Sequence, residues 1–219
     1  MRANPALDSR TLIGIIEEGT IEWHRTTPRR FKCDPACTCC CLNPFFFPSE
    51  VDLLPEDIRK RLTTRSLSLA LGKIELQAEV FAPKPLVEGN SKTCIFFDPN
   101  SSKHCTIYRE RPLRCRLYPY CPLIVAERIV IVAEPFLNIF DRDGSVPRWY
   151  RCHGLGKGDD VTRPVEEQSR IFLQRLLTEY PYLVGAYFVK NLEAAINWEK
   201  IREYHALGRV PTALTAGRT

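Results

Sequence analysis

No apolar run approaches the roughly 20 residues that a membrane helix needs; the longest, such as residues 129–133, stop far short. A spanning segment is therefore not expected, and no membrane partner with it. Residues 1–10, with Arg2, Asp8 and Arg10, also lack the apolar stretch of a secretory signal, so a cytoplasmic location is expected. There is no internal repeat, low-complexity tract or Gly/Ser linker, which argues for a single domain over residues 1–219. Net charge is only +5, from 31 Lys and Arg against 26 Asp and Glu. That balance does not by itself mark a nucleic-acid binder.

Against these absences stand ten cysteines. A chain of 219 residues with 44% hydrophobic content can bury an ordinary core, so it does not need the disulfides that hold small secreted proteins together. Five thiols, Cys33, Cys37, Cys39, Cys40 and Cys41, fall within nine residues, in a stretch holding Pro35 and little that is apolar. Inert buried cysteines would be scattered among core positions instead. Neighbours such as Cys40 and Cys41 cannot close an ordinary disulfide, because adjacent Cα atoms lie about 3.8 Å apart and the usual range begins near 4.4 Å. A disulfide framework would need distant partners and would face a reducing glutathione pool. Thiolate ligation of a metal is the favoured reading.

The other cysteines, Cys94, Cys105, Cys115, Cys121 and Cys152, are widely spaced. Zinc ribbons and fingers take ligand pairs two to four residues apart, so here one or more sites must be assembled from distant loops. Zinc and iron–sulfur clusters both accept four thiolates. Ten cysteines can supply two four-ligand sites and leave two over, or a single larger cluster with spare thiols. Four histidines are present, and two of them, His104 and His153, adjoin cysteines. Adjacent side chains rarely bind the same ion, so these two read first as neighbours of ligands and second as mixed ligands.

Two basic stretches flank the thiols: Arg25, Arg29, Arg30 and Lys32 before the first cluster, then Lys103, Arg109, Arg111, Arg114 and Arg116 among the later cysteines. Four thiolates on one zinc or one four-iron cluster leave a net charge of about 2−, which nearby arginines would offset. A surface for phosphate is the competing reading.

Leu12, Ile13, Ile16 and Ile21 suggest a helix around 9–23 within a metal-free segment 1–30. Ser49, Asp52 and Pro55-Glu56-Asp57 carry helix-opening signals over 49–62. Phe45, Phe46 and Phe47, between Pro44 and Pro48, cannot all face one side of a strand, and they read as core or as a lid over the metal site. Cys94-Ile95-Phe96-Phe97 and Cys105-Thr106-Ile107-Tyr108 suggest a hairpin across Asp98-Pro99-Asn100-Ser101-Ser102, and residues 123–126 and 129–133 suggest another around Glu127-Arg128. Gly154-x-Gly156-x-Gly158 reads as a flexible loop. From Thr162, a helical hairpin interrupted at Pro181 is expected over 162–207, with Gly208 as its stop and a frayed tail over 209–219. The expected fold class is α+β: small β-hairpins and loops around a cysteine-ligated metal centre in a core of residues 31–156, flanked by N-terminal and C-terminal helices.

Cys33-x3-Cys37-x2-Cys40-Cys41, Cys94-Ile95-Phe96, Cys105-Thr106-Ile107-Tyr108 and Arg111-Pro112-Leu113-Arg114-Cys115-Arg116-Leu117-Tyr118-Pro119, with Pro55-Glu56-Asp57-Ile58 and Cys152-His153-Gly154, together resemble a known pattern. The chain is similar to the YkgJ-type cysteine-cluster family, described as a putative zinc- or iron-chelating domain, over roughly residues 31–156. The resemblance implies metal ligands at Cys33, Cys37, Cys40, Cys41, Cys94, Cys105, Cys115 and Cys152. Cys39 and Cys121 depart from the pattern, although Cys39-Cys40 would also serve as its adjacent pair. An iron–sulfur cluster is the first cofactor implied, and zinc the second. The more distant similarity to flagellin lysine N-methylases implies iron–sulfur-dependent protein methylation as an activity. The alternative is a zinc-stabilised module for nucleic acid or a protein partner, motivated by the arginines around Cys115 and by Trp149-Tyr150-Arg151; a protein or small-molecule partner is left unnamed.

Overall fold

Strand-forming residues buried on both faces read as continuous apolar runs, and residues 123–126 and 129–133 are two such runs on either side of Glu127-Arg128. The computed structural model describes residues 9–33, 44–71, 74–88, 91–98, 100, 105–137 and 152–210. Within it, β7 (Tyr120–Val125) and β8 (Arg128–Ala133) form an antiparallel hairpin, and β1 (Ile21–Trp23) adds to β8 in parallel, Ile21 opposite Ile129. The turn is Ala126-Glu127, one residue earlier than the sequence suggests, and Ala126 takes a φ of 54°. A two-residue hairpin loop needs positive φ to follow the strand twist, and here an alanine supplies it.

Helix α1 (Ser9–Glu18) packs Leu12, Ile15 and Ile16 towards this sheet. It is shorter than expected because Gly19 stops it, donating its N–H to the Gly14 and Ile15 carbonyls, and residues 21–23 turn into β1 instead. On the same core lies α5 (Thr162–Glu179), which buries Val165, Phe172, Leu173 and Leu176. Its Thr162 N–H is accepted by the Asp160 carboxylate, so Thr162 opens the helix without being its cap. The remainder of 162–207 is not one second helix but short pieces: α6 (Pro181–Val184), α7 (Leu192–Ala195) and α8 (Trp198–Ala206), the last two capped by Asn191 and Asn197. Gly208, at φ 68°, ends α8 as expected.

Between the sheet's two sequence halves stand elements that the sequence reading divides differently. Residues 49–62 form two single turns, α2 (Pro48–Val51) and α3 (Glu56–Arg59), because Pro55 interrupts the backbone bonding. A ten-residue hairpin follows, β3 (Leu62–Leu71) with β4 (Ile74–Pro83), which the sequence reading does not anticipate. Then β5 (Pro85–Glu88) pairs with β6 (Ser91–Cys94), and β2 (Arg30–Phe31) pairs with β9 (Asp159–Asp160). The helix α4 (Leu113–Leu117) precedes β7. Helices with short sheets and hairpins make the fold α+β, as expected. No helix among the described residues is long and apolar enough to cross a membrane.

The three phenylalanines join two cores. Phe45 and Phe47 pack with Phe172 and Tyr180 in the larger one, while Phe46 points the other way onto Leu54, Ile58, Leu62, Phe96 and Ile107. Successive residues of an extended chain face opposite sides, so one short segment fills both. Core packing, not a lid, is the outcome.

Replacing Ala126 by glycine should raise stability by about 0.5–1 kcal/mol, because a left-handed conformation strains a residue that carries Cβ. A denaturant midpoint that stays fixed or falls for Ala126→Gly would contradict this.

Candidate metal centre

Residues 33 and 44 flank the segment 34–43 that carries Cys37, Cys39, Cys40 and Cys41, and the chain around each is described. At the entry end, Phe31 bridges Leu155, the Lys32 N–H donates to the Gly154 carbonyl at 3.2 Å, and the Gly156 N–H donates to the Arg30 carbonyl at 2.9 Å. A Cβ at Gly154 would sit 2.0 Å from the Lys32 carbonyl oxygen, and one at Gly158, whose φ is 75°, 2.4 Å from the Lys32 Cβ. The glycine triplet is therefore not a free loop: two of its members lack side chains because β2 lies flush against them. This contact sets Cys33 beside the Cys152-His153 segment. Cys33 is exposed, His153 is exposed, and Cys152 is buried, with its carbonyl accepting the Tyr204 hydroxyl at 3.2 Å. Burial, then the negative charge of Cys152 as thiolate and that of Asp160, raises the nearby Tyr120 phenol above its ordinary value.

At the exit end, Arg65 Nη2 donates to the Pro44 carbonyl at 3.2 Å, and the Phe46 N–H donates to Phe81 at 2.8 Å. The same guanidinium lies near Cys94: burial lowers its pKa and the Cys94 charge acts against that. Cys94 closes β6, and its carbonyl accepts the Phe97 N–H at 2.9 Å. Phe97 bridges Cys105, and Thr106 N–H donates to Phe96 at 2.9 Å. Both thiols are half-buried against the Phe46–Phe96–Ile107 core. The expected hairpin is thus reduced to one bridge, because residues 95–96 turn and β6 pairs back onto β5; residues 99 and 101–104, including His104, lie outside the described residues.

Cys115 lies on α4, whose Leu113 and Leu117 are 1% and 0% exposed and face the core. At about 100° per residue, Cys115 falls on the opposite face of that turn, consistent with its half-exposed state. Arg114 forms a buried pair with Glu134, and Arg116 lies 3.5 Å from Glu50. Burial alone would pull the Arg114 pKa down; Glu134, then Tyr187 and Cys121, hold it well above the ordinary value. Arg111 covers the Tyr108 ring at 3.8 Å, Arg29 covers Trp23 and Arg25 covers Trp198, each at 5.6 Å, and Arg30 donates to the Gly158 carbonyl at 2.6 Å. Most of the arginines near the cysteines therefore bind the protein itself. Arg65, which no local signal in the sequence marks, is a guanidinium within electrostatic reach of Cys94.

Among the described residues, no group of three or more Cys, His, Asp or Glu side chains forms a ready metal site. Cys37, Cys39, Cys40 and Cys41 lie outside the described residues, and so do residues 138–151 with Trp149-Tyr150-Arg151. The donor set still fits iron or zinc by its chemistry, since thiolates are ligands for both: among the described thiols Cys33 is exposed, Cys94, Cys105 and Cys115 are half-buried, and Cys152 is buried. Cys121 does not fit. It is 1% exposed on β7 opposite Val132, and its thiol is pushed up to about 12 by burial first, then by Glu134, with Arg114 pulling the other way.

A neutral buried thiol has a stability consequence. Between the ordinary thiol value of 9.0 and about 12 the unfolded chain has lost the proton and the folded chain keeps it. Stability that is intact below pH 9 should then fall with rising pH, by up to about 1.4 kcal/mol per pH unit for this group. Tyr120 and Tyr187, also raised by burial, add the same sign from about pH 10. Urea midpoints measured from pH 8 to 10.5 should show the decline, and Cys121→Val should flatten its onset. An unaltered onset in that variant would refute the assignment.

Residues 32–138 match a family described as CxxCxxCC, putative zinc- or iron-chelating domain. The match includes seven of the eight residues assigned by resemblance and ends before Cys152. No curated protein and no solved structure matches the chain.

Proposed function

We propose, from the match of residues 32–138 to a family described as a putative zinc- or iron-chelating domain, that Cys33, Cys37, Cys40, Cys41, Cys94, Cys105, Cys115 and Cys152 bind metal as thiolates. An iron–sulfur cluster is the first assignment and zinc the second. The observation that carries the reading is the bracketing of the first cysteine loop. Its entry is zipped to the Cys152 segment through Lys32 and Gly154, and its exit is held by Arg65, which also faces Cys94. Cys152 and Cys94, far apart in sequence, thus lie near the residues that flank segment 34–43, which carries Cys37, Cys40 and Cys41.

When bound, iron–sulfur supplies electron transfer and zinc supplies a structural tether or Lewis acid. This chain's residues hold the thiols in place, and Arg65 offsets part of their charge. Iron–sulfur-dependent methyl transfer to protein lysine is the reaction to assay first if the metal is iron. The zinc-stabilised nucleic-acid module draws less support from the arginines around Cys115, since Arg114 and Arg116 are engaged by Glu134 and Glu50; Trp149-Tyr150-Arg151, its other motivation, lies outside the described residues.

Metal analysis with a visible spectrum on protein purified without oxygen decides between these assignments. Iron with acid-labile sulfide and a band that bleaches on reduction is expected; colourless protein with stoichiometric zinc would select the second assignment, and protein with neither would sink both. Cys40→Ser and Cys115→Ser should lower metal content more than Cys39→Ser and Cys121→Ser. Equal losses from all four would overturn the eight-ligand set.

A further inference from the structure

Glu50 sits on α2, six residues after Pro44 ends the cysteine loop, and it is 8% exposed. Its Oε2 accepts the Phe47 N–H at 3.1 Å; its Oε1 accepts the Leu113 N–H at 2.7 Å and lies 3.5 Å from Arg116 and 3.6 Å from Arg175. One carboxylate thus joins Phe47, the first residue of the helix that carries Cys115, and the long helix α5. On the other flank of α4, Arg114 is held by the buried carboxylate of Glu134, which follows β8.

A five-residue helix closes few hydrogen bonds of its own, so side chains must set its orientation. On a helical wheel Arg114 and Arg116 project about 80° to either side of the Leu113/Leu117 core face, and Cys115 projects opposite it. With the leucines buried and both arginines tethered, the turn cannot roll about its axis. We propose that Glu50 and Glu134 are positioning residues that aim the Cys115 thiol, and that Glu50 does so while holding the Phe45–Phe47 segment against the same helix. The two arginines of Arg114-Cys115-Arg116 then act through these carboxylates and not as phosphate binders. The inference rests on the metal-binding reading above.

The test loads the apo 219-residue chain with cobalt(II) and reads both affinity and the thiolate-to-cobalt charge-transfer band. Glu50→Gln keeps the shape of the side chain and one carbonyl acceptor but removes the charge that faces Arg116 and Arg175. It should weaken cobalt binding roughly 10- to 100-fold, as loss of an outer-shell partner does, and lower the band by the increment that Cys115→Ser causes. In the Glu50→Gln/Cys115→Ser double variant the loss should not grow, since a positioning residue has nothing left to position. Arg116→Met, at a half-exposed side chain, should show the same change of band at several-fold lower affinity, and it decides the matter if Glu50→Gln does not fold. Glu56→Gln, which breaks an exposed pair with Lys60, should change neither readout. Additive losses in the double variant, an unchanged band in Arg116→Met, or an equal effect of Glu56→Gln would overturn the proposal while leaving metal binding intact. Wild-type protein that takes up no cobalt would instead sink the metal-binding reading, and this one with it.

Discussion

Burial of Phe45, Phe46 and Phe47 on alternating sides of an extended backbone is the constraint from which the site geometry follows. The three rings are 2%, 0% and 0% exposed and belong to two different cores. Burying each ring contributes on the order of 2–3 kcal/mol, so sliding this segment by one residue would expose apolar rings in both cores. The exit of the cysteine loop is thereby pinned. Immediately before it, Pro44 presents its carbonyl to Arg65; immediately after it, Glu50 reaches α4 and α5.

Charge is arranged on the same scheme. The basic residues around the cysteines look, in sequence, like one population with one purpose. In the fold they divide. Arg114 and Arg116 are tethered to buried carboxylates, Arg25, Arg29 and Arg111 lie over aromatic rings, and Arg65 faces a cysteine. A buried pair such as Arg114–Glu134 adds little net stability but costs several kcal/mol when one partner is removed, so its consequence here is orientation: it holds the short helix of Cys115 against the sheet.

Where an element rests on local chemistry, the sequence revealed it. The hairpin of residues 120–133 is announced by the apolar runs 123–126 and 129–133, α5 starts at Thr162 as its pattern indicates, and Gly208 ends α8. Elements that depend on distant partners were harder. Leu62–Leu71 and Ile74–Pro83 contain Thr, Ser, Glu and Arg among their apolar residues, and they pair with each other over ten registers that no local signal announces. Ile21 looked like one more residue of a helix, yet it is claimed by β8 through a parallel pairing more than 100 residues away. The glycines at 154 and 158 suggested freedom, and instead they mark where β2 approaches too closely for a side chain.

By itself the sequence carries the thiol pattern: ten cysteines, five of them too dense for a core and too close for ordinary disulfides, in a spacing that over residues 32–138 matches a family described as a putative zinc- or iron-chelating domain. Ligand type and spacing are covalent properties and need no fold to be read. Tertiary structure alone decided that Cys121 is sealed among apolar neighbours as a neutral thiol, that Cys33 stands beside the Cys152 segment, and that Arg114 and Arg116 are tied down on either side of Cys115. Solvation and charge depend on what surrounds a group in space, and those surroundings come from residues tens to more than a hundred positions away.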